Sequence, residues 1–185
     1  KVVCPATPDD AYRLLLAAIA DPDPVLVLEP VPLYRSLSGP VDDDGVPAEI
    51  GRAAVVRPGD DLTIVAYGPP RHLALRAAVE MAAREGYSIE VIDLRSLVPW
   101  DRETVSASVR RTGRLVVLHE GSQTLGFGAE IVAAIQEHDF GYLHSPIQRI
   151  AGHDMPYGFS IGDEYYRPSI ERIRAAVRRS MEFEF

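Results

Sequence analysis

A continuous apolar run followed by a glycine-bracketed turn constrains this chain more than any other stretch. Residues 114–135 read RLVVLHEG, SQTLGFG and AEIVAAI. Leu115 to Leu118 form the unbroken run expected of a strand buried on both faces, which requires packing layers above and below it. Gly121, Gly126 and Gly128 allow a tight turn, and Ile131, Ala134 and Ile135 then mark one helical face. His119 and Glu120 fall at the carboxyl end of the strand, the edge where open α/β sheets place their functional loops. On its own the unit reads as a catalytic loop, a nucleotide cradle or a corner docked on another subunit.

The flanking sequence repeats this alternation. Val2 to Cys4 is a short apolar strand. Thr7-Pro8-Asp9-Asp10 then starts a helix, with a capping hydroxyl, a first-turn proline and two acids at the positive end of the dipole. Ala11, Leu14, Leu15, Ala18 and Ile19 give that helix a buried face, and Val25 to Leu28 follows as the next strand. Strand, helix and strand in about thirty residues form a βαβ crossover with parallel strands. Residues 31–61 are rich in proline, glycine and acid and read as a linker between domains. Tyr34 and Arg35 within it are expected to pack and pair against a flanking domain.

A second series begins at Leu62. Strands are expected at 62–67, 88–94, 115–118 and 147–151. The helices between them carry Leu75, Val79 and Ala82, then Val105 and Val109, on their inward faces. A last helix after Pro168 turns Ile170, Ile173, Val177 and Met181 inward and leaves Arg172, Arg174, Arg178 and Arg179 on a solvated face. The fold class is therefore α/β: a three-layer, mostly parallel sheet with helices on both faces, preceded by a partial βαβ piece.

Composition excludes several functions. Nineteen Lys and Arg against 27 Asp and Glu give a net charge of −8, which argues against a nucleic-acid surface. No apolar run approaches the roughly 20 residues of a membrane span. Cys4 is the only cysteine, so there is neither a disulfide framework nor a cysteine zinc site. The chain opens on a strand without an initiating methionine, so a fragment or a clipped subunit is expected.

Motifs for self-sufficient chemistry fail one by one. Gly126-x-Gly128 lacks the third glycine of a dinucleotide fingerprint, since position 131 is Ile, and Gln148 falls where the ribose acid belongs. There is no phosphate loop, and Lys1 is the only lysine. Gly162-Asp163 begins like a thiamine-diphosphate signature, but position 164 is Glu and the sequence contains no asparagine. His119 and Glu120 are adjacent on an extended segment and point to opposite sides, which favours a structural or interface role over paired acid–base work. Asp21 and Asp23 bracket a helix end where free carbonyls collect, an oxygen-only set that suits a hard cation or simply forms two solvated turn acids.

Several segments together, KVVCPATPDDAYRLLLAAI, DPDPVLVLEPVPLYR, VIDLRSLVPWD, RLVVLHEGSQTLGFGAEIVAAIQE and SPIQRIAGHDMPY, resemble the beta subunit of thiamine-dependent 2-oxo acid dehydrogenases. Val98-Pro99-Trp100-Asp101 and His119-Glu120 look more like the branched-chain than the pyruvate enzymes. The resemblance implies that residues 1–30 end a pyrimidine-binding domain, that 31–61 is a linker and that 62–185 is a transketolase C-terminal-like domain. It implies decarboxylation of a 2-oxo acid and reductive acylation of a lipoyl group by an intact heterotetramer, with thiamine diphosphate and Mg2+ as cofactors. The catalytic histidine and glutamate of the family belong upstream of Lys1, so no catalytic or cofactor-binding residue is assigned here.

The same resemblance places a structural K+ at Ala18, Asp21 and Asp23; relatives commonly carry Asn at position 23. It names as partners the alpha subunit, a second beta subunit and the dihydrolipoyl acyltransferase core, with Glu182 to Phe185 contributing. The implied compartment is the bacterial cytoplasm or the mitochondrial matrix, the former preferred. The alternatives are a pyruvate dehydrogenase beta subunit and a free-standing, non-catalytic interaction domain of the same fold.

Overall fold

The computed structural model describes residues 1–156 and 163–184, except the side chains of Asp163 and Glu164. It begins with β1 (Val2–Val3), α1 (Pro8–Ala20) and β2 (Leu26–Val27). Thr7 caps α1, its hydroxyl accepting from the Asp10 amide at 3.1 Å, and Pro8 occupies the first turn. β1 and β2 pair in parallel, as the crossover requires. The helix is less buried than its stripe predicts. Leu14 is enclosed, whereas Leu15 and Ile19 are 44% and 74% exposed, and Leu26 on β2 is 58% exposed. Nothing among the described residues covers that face.

The connection holds a single-turn helix, α2 (Leu33–Ser36), and then β3 (Ala54–Arg57). Part of the predicted linker thus belongs to the following sheet, because β3 pairs antiparallel with β5 at its edge. Tyr34 is 61% exposed but pairs with the amino-terminal piece, its hydroxyl donating to Glu29; Arg35 is exposed.

The main body comprises β4 (Leu62–Ala66), α3 (Pro70–Glu85), β5 (Ile89–Asp93), β6 (Ser96–Val98), α4 (Arg102–Thr112), β7 (Leu115–Ser122), α5 (Gly128–Asp139), β8 (Gln148–Gly152), α6 (Asp163–Tyr166) and α7 (Ile170–Met181). Five strands form a sheet in the order β3-β5-β4-β7-β8. β4, β5, β7 and β8 are parallel. Helices α3 and α7 pack one face, through Ala74, Ala77, Ala78, Met81, Ile173, Ala176 and Val177 against Leu62, Ile64, Val91, Val116 and Leu118. Helices α4 and α5 pack the other, through Val105, Val109, Ile131 and Ile135 against Val65, Ile92, Leu115 and Val117. The three-layer α/β architecture expected from the alternation is present.

Two helix faces differ from their predicted assignment. The alanine stripe of α3, with Met81, faces the sheet, while Val79 is 59% exposed. Small side chains let α3 lie close to the strands, a choice that hydrophobicity alone does not rank. The arginines of α7 are also engaged. Arg178 donates to Glu85 at 2.7 Å, Arg174 pairs with Glu80, and Arg172 donates to the Ala151 carbonyl at 2.8 Å. Their charge ties α7 to α3 and β8.

β6 breaks the alternation. Instead of extending the five-stranded sheet it runs antiparallel beside β1, giving a second sheet of order β2-β1-β6. The Cys4 amide donates to the Arg95 carbonyl at 2.7 Å at this crossing.

At the amino end of the large sheet, Thr63 Oγ1 lies 2.6 Å from Ser108 Oγ and 2.7 Å from Thr112 Oγ1. Ser108 donates to the buried Glu90, whose other oxygen accepts from Arg111 Nη2 at 2.7 Å. Arg111→Ala leaves that carboxylate without its cation. A loss of about 2–4 kcal/mol is expected, read as a lower urea midpoint at unchanged slope.

Candidate functional site

In the order β3-β5-β4-β7-β8 the chain leaves β4 for β5 on one side and later returns to β7 on the other. Loops at the carboxyl ends of β4 and β7 therefore diverge, and a crevice opens between them. Its walls are Pro69, Pro70 and Leu73 from α3 and its approach, and Leu33 and Leu37 around α2, enclosing about 340 Å3. Glu120 and Arg167 meet at its mouth, with Arg167 Nε 3.1 Å from Glu120 Oε1. His72 Nε2 donates to the Ala6 carbonyl at 2.7 Å and joins α3 to the amino-terminal piece.

His119 and Glu120 part company as their adjacency predicts. Glu120 turns to the crevice, and His119 is fully buried. The imidazole stacks on Tyr67 with centroids 6.1 Å apart. Its nearest cover is glycine: a Cβ at Gly126 would lie 2.5 Å from Cε1, and one at Gly128 2.5 Å from Nε2. The spacing of Gly126 and Gly128, which fails as a nucleotide fingerprint, is thus explained by room for a ring. Burial, and secondarily Arg149, holds the His119 pKa below the usual histidine range.

Neighbouring groups are equally unreactive. Burial pushes the Cys4 thiol up to about 12, reinforced by Asp93 and Glu120, and likewise the Tyr67 phenol to about 12. Asp93, at the end of β5, is buried and raised to about 7, chiefly by desolvation and then by the charge of Asp10. Its partner Arg71 approaches to 3.5 Å without a hydrogen bond. A thiol and a phenol pushed up by burial, a buried imidazole and a glutamate paired with Arg167 favour binding or packing over nucleophilic chemistry here. Sequence reasoning missed Tyr67, Arg71, Asp93 and Arg167. They come together only through the sheet order, and no local pattern marks them.

The predicted cation residues lie elsewhere. Ala18 is in the last turn of α1, where terminal carbonyls lack intrahelical partners. Asp21 accepts from Lys1 Nζ at 2.7 and 2.6 Å, and Asp23 lies 3.4 Å from the same ammonium. The Lys1 hydrogen bond holds the Asp21 carboxyl below its ordinary range. The two acids converge on one monovalent charge, so their chemistry suits a monovalent cation.

The diphosphate and its magnesium fit these residues poorly. Among the described residues no three His, Cys, Asp or Glu side chains come together as a metal site, and the sequence offers no asparagine. Gly162 of the partial signature lies outside the described residues, as do the Asp163 side chain and Phe185. Among the described residues no helix is long and apolar enough to cross a membrane.

A largely parallel sheet covered on both faces, with a crevice at its carboxyl edge, defines the class as a three-layer α/β domain. Residues 51–173 match the transketolase C-terminal domain, and the chain belongs to that family. It is 46% identical over 179 residues to the 3-methyl-2-oxobutanoate dehydrogenase subunit beta of Mycobacterium tuberculosis, covering 97% of this chain and 51% of that protein. The mitochondrial 2-oxoisovalerate dehydrogenase subunit beta 2 of Arabidopsis thaliana is 41% identical over 183 residues, covering 99% and 51%. The pyruvate dehydrogenase E1 component subunit beta of Bacillus subtilis is 40% identical over 183 residues, covering 99% and 56%. The chain thus spans about half the length of the curated relatives it matches. A solved structure described as a split gene transketolase, an inactive beta4 tetramer, superposes with a TM-score of 0.82 at 29% identity, over 100% of this chain and 58% of that one.

Proposed function

We propose that this chain is the carboxyl-terminal portion of the beta subunit of a branched-chain 2-oxo acid dehydrogenase. The carrying observation is the 46% identity to a 3-methyl-2-oxobutanoate dehydrogenase beta subunit over 97% of the chain. In this reading the intact enzyme decarboxylates a branched 2-oxo acid with thiamine diphosphate and magnesium and reductively acylates a lipoyl group. This portion supplies assembly surface and one wall of the cofactor domain, and the alpha subunit, a second beta subunit and the acyltransferase core are its partners. The compartment is the bacterial cytoplasm or the mitochondrial matrix.

The reading assigns residues 1–30 to the end of a pyrimidine-binding domain, 31–61 to a linker and 62–185 to the second domain. The apolar residues Leu15, Ile19 and Leu26, uncovered in this chain, support it, because the rest of such a domain gives them a partner. Purified alone with thiamine diphosphate, magnesium and 3-methyl-2-oxobutanoate, the chain is expected to release no carbon dioxide. Turnover by the isolated chain overturns the assignment of catalysis to residues outside it. A second reading, a non-catalytic assembly of beta chains alone, is favoured by the inactive beta4 tetramer among the structural neighbours. An intact-mass measurement on the native protein separates the two.

The cation site at Ala18, Asp21 and Asp23 belongs to the same proposal. Potassium is expected to raise the thermal midpoint relative to tetramethylammonium, and the rise is expected to grow in Lys1→Ala, where the competing ammonium is gone. Equal midpoints in both salts for both proteins leave Asp21 and Asp23 as ordinary turn acids.

A further inference from the structure

His119 is the one ring in the crevice region whose polar atoms go unused. It is fully buried, and neither ring nitrogen has a hydrogen-bond partner among the described residues. Buried polar atoms are nearly always paired, so such a ring needs a reason to persist. Its neighbours give one. Nε2 rests against Gly128, the first residue of α5, whose helix dipole presents positive potential there. Arg149 on β8 adds positive charge. Tyr67 at the end of β4 stays neutral, and Glu120 on the histidine's own strand turns away to Arg167. The Gly121 backbone alone favours an imidazolium, and burial and Arg149 outweigh it.

The cover differs in kind from the other walls. β4, β8 and α5 are held by the sheet and its helices, whereas residues 123–127, between β7 and α5, form a loop. That loop is fastened at two points: Thr124 donates to Asp154 from its amide at 2.9 Å and its hydroxyl at 2.6 Å, and the Gln123 amide donates to the Gly152 carbonyl at 3.1 Å. Leu125 stands in left-handed backbone at φ 59° and is 98% exposed, so it adds strain and no burial.

We propose that His119 is a proton-operated latch: the neutral ring lets the 123–127 loop close over it, and protonation lifts the loop. A charged ring needs acceptors on both nitrogens, and the glycine α-carbons above it offer none. Glu120, which lines the crevice from the strand that feeds the loop, shifts with it. The shape of the crevice thereby becomes dependent on pH.

The sign follows from the neutral state being the bound one. Closure is complete above the ordinary histidine range, near pH 6.5, and is lost as pH falls below it, each unit below the ring's own pKa multiplying the open population about tenfold. Hydrogen exchange of the whole chain at pH 7.5 and 5.0, corrected for intrinsic rates, is the test. Peptides spanning 119–128 are expected to lose protection about tenfold or more at pH 5.0, while β4 and α3 peptides hold. His119→Gln is expected to abolish the step. If that variant does not fold, an NMR titration of the wild type decides, since the imidazole and the Gly126 and Gly128 amides must share one midpoint. Protection independent of pH in the wild type, an unchanged acid step in His119→Gln, or an imidazole that titrates without the loop amides overturns the proposal.

Discussion

A single methyl group added at Gly128 is expected to cost about 2–3 kcal/mol of stability, and most of that cost is expected to disappear when His119 is also replaced by alanine. The geometry makes the coupling specific. A Cβ at Gly128 would meet His119 Nε2 at 2.5 Å and Cδ2 at 2.6 Å, with Val117 next at 3.2 Å. The clash is with one side chain, so trimming that side chain relieves it. Gly126→Ala is the control. Its Cβ would lie 2.2 Å from the Ser122 carbonyl oxygen as well as 2.5 Å from His119, and no second substitution removes a backbone oxygen. Urea unfolding of Gly128→Ala, Gly126→Ala, His119→Ala and the two doubles checks this. No rescue of Gly128→Ala by His119→Ala would show that this glycine serves the turn and not the ring.

The second large effect belongs to Asp93 and appears only as a function of pH. The folded carboxyl keeps its proton up to about pH 7, against an ordinary 3.8. Between those values the folded chain binds more protons than the unfolded one, so the contribution of Asp93 to stability is greatest below pH 4 and is lost as pH rises through 7. The interval corresponds to a penalty on the order of 4 kcal/mol at pH 8. Asp93→Asn, which cannot ionise, is expected to match the wild type near pH 4 and to exceed it by several kcal/mol at pH 8. Stability curves measured from pH 4 to 8 test the difference. Parallel curves would mean that Arg71, 3.5 Å away, already compensates the buried charge.

The sequence conveyed the layers of this fold well and its joints poorly. Leu115 to Leu118 is apolar without interruption because helices cover both faces, Leu62 to Ala66 departs from this only at Thr63, and such runs are recognisable wherever they occur. The start of α1 was equally legible, since Thr7 acts through Asp10 three residues away, whereas the last helix begins not at Pro168 but after a Ser169 cap. What escaped was decided at long range. β3 lies in a stretch whose prolines and glycines read as linker, and only its pairing with β5 makes it a strand. The α3 face was misassigned because close approach to a sheet rewards alanine over leucine and valine. The crevice was half visible: His119 and Glu120 announced themselves at a strand end, but Tyr67 and Arg167 meet them from distant segments. Burial, which gives these groups their chemistry, cannot be read from spacing.

β6 carries a consequence for how the two sheets live together. Three residues of the second series, Ser96 to Val98, are hydrogen-bonded into the first sheet beside β1, and Arg95 donates from its guanidinium to Asp10 of α1 and to the Arg52 carbonyl. A boundary drawn through the irregular connection therefore cuts the covalent chain without cutting the network that joins its halves. Cleavage there should leave two pieces that stay associated and melt in one transition, like a split protein whose fragments complement each other. On that expectation the two sheets act as a single cooperative unit, with the seam between them stitched from the far side.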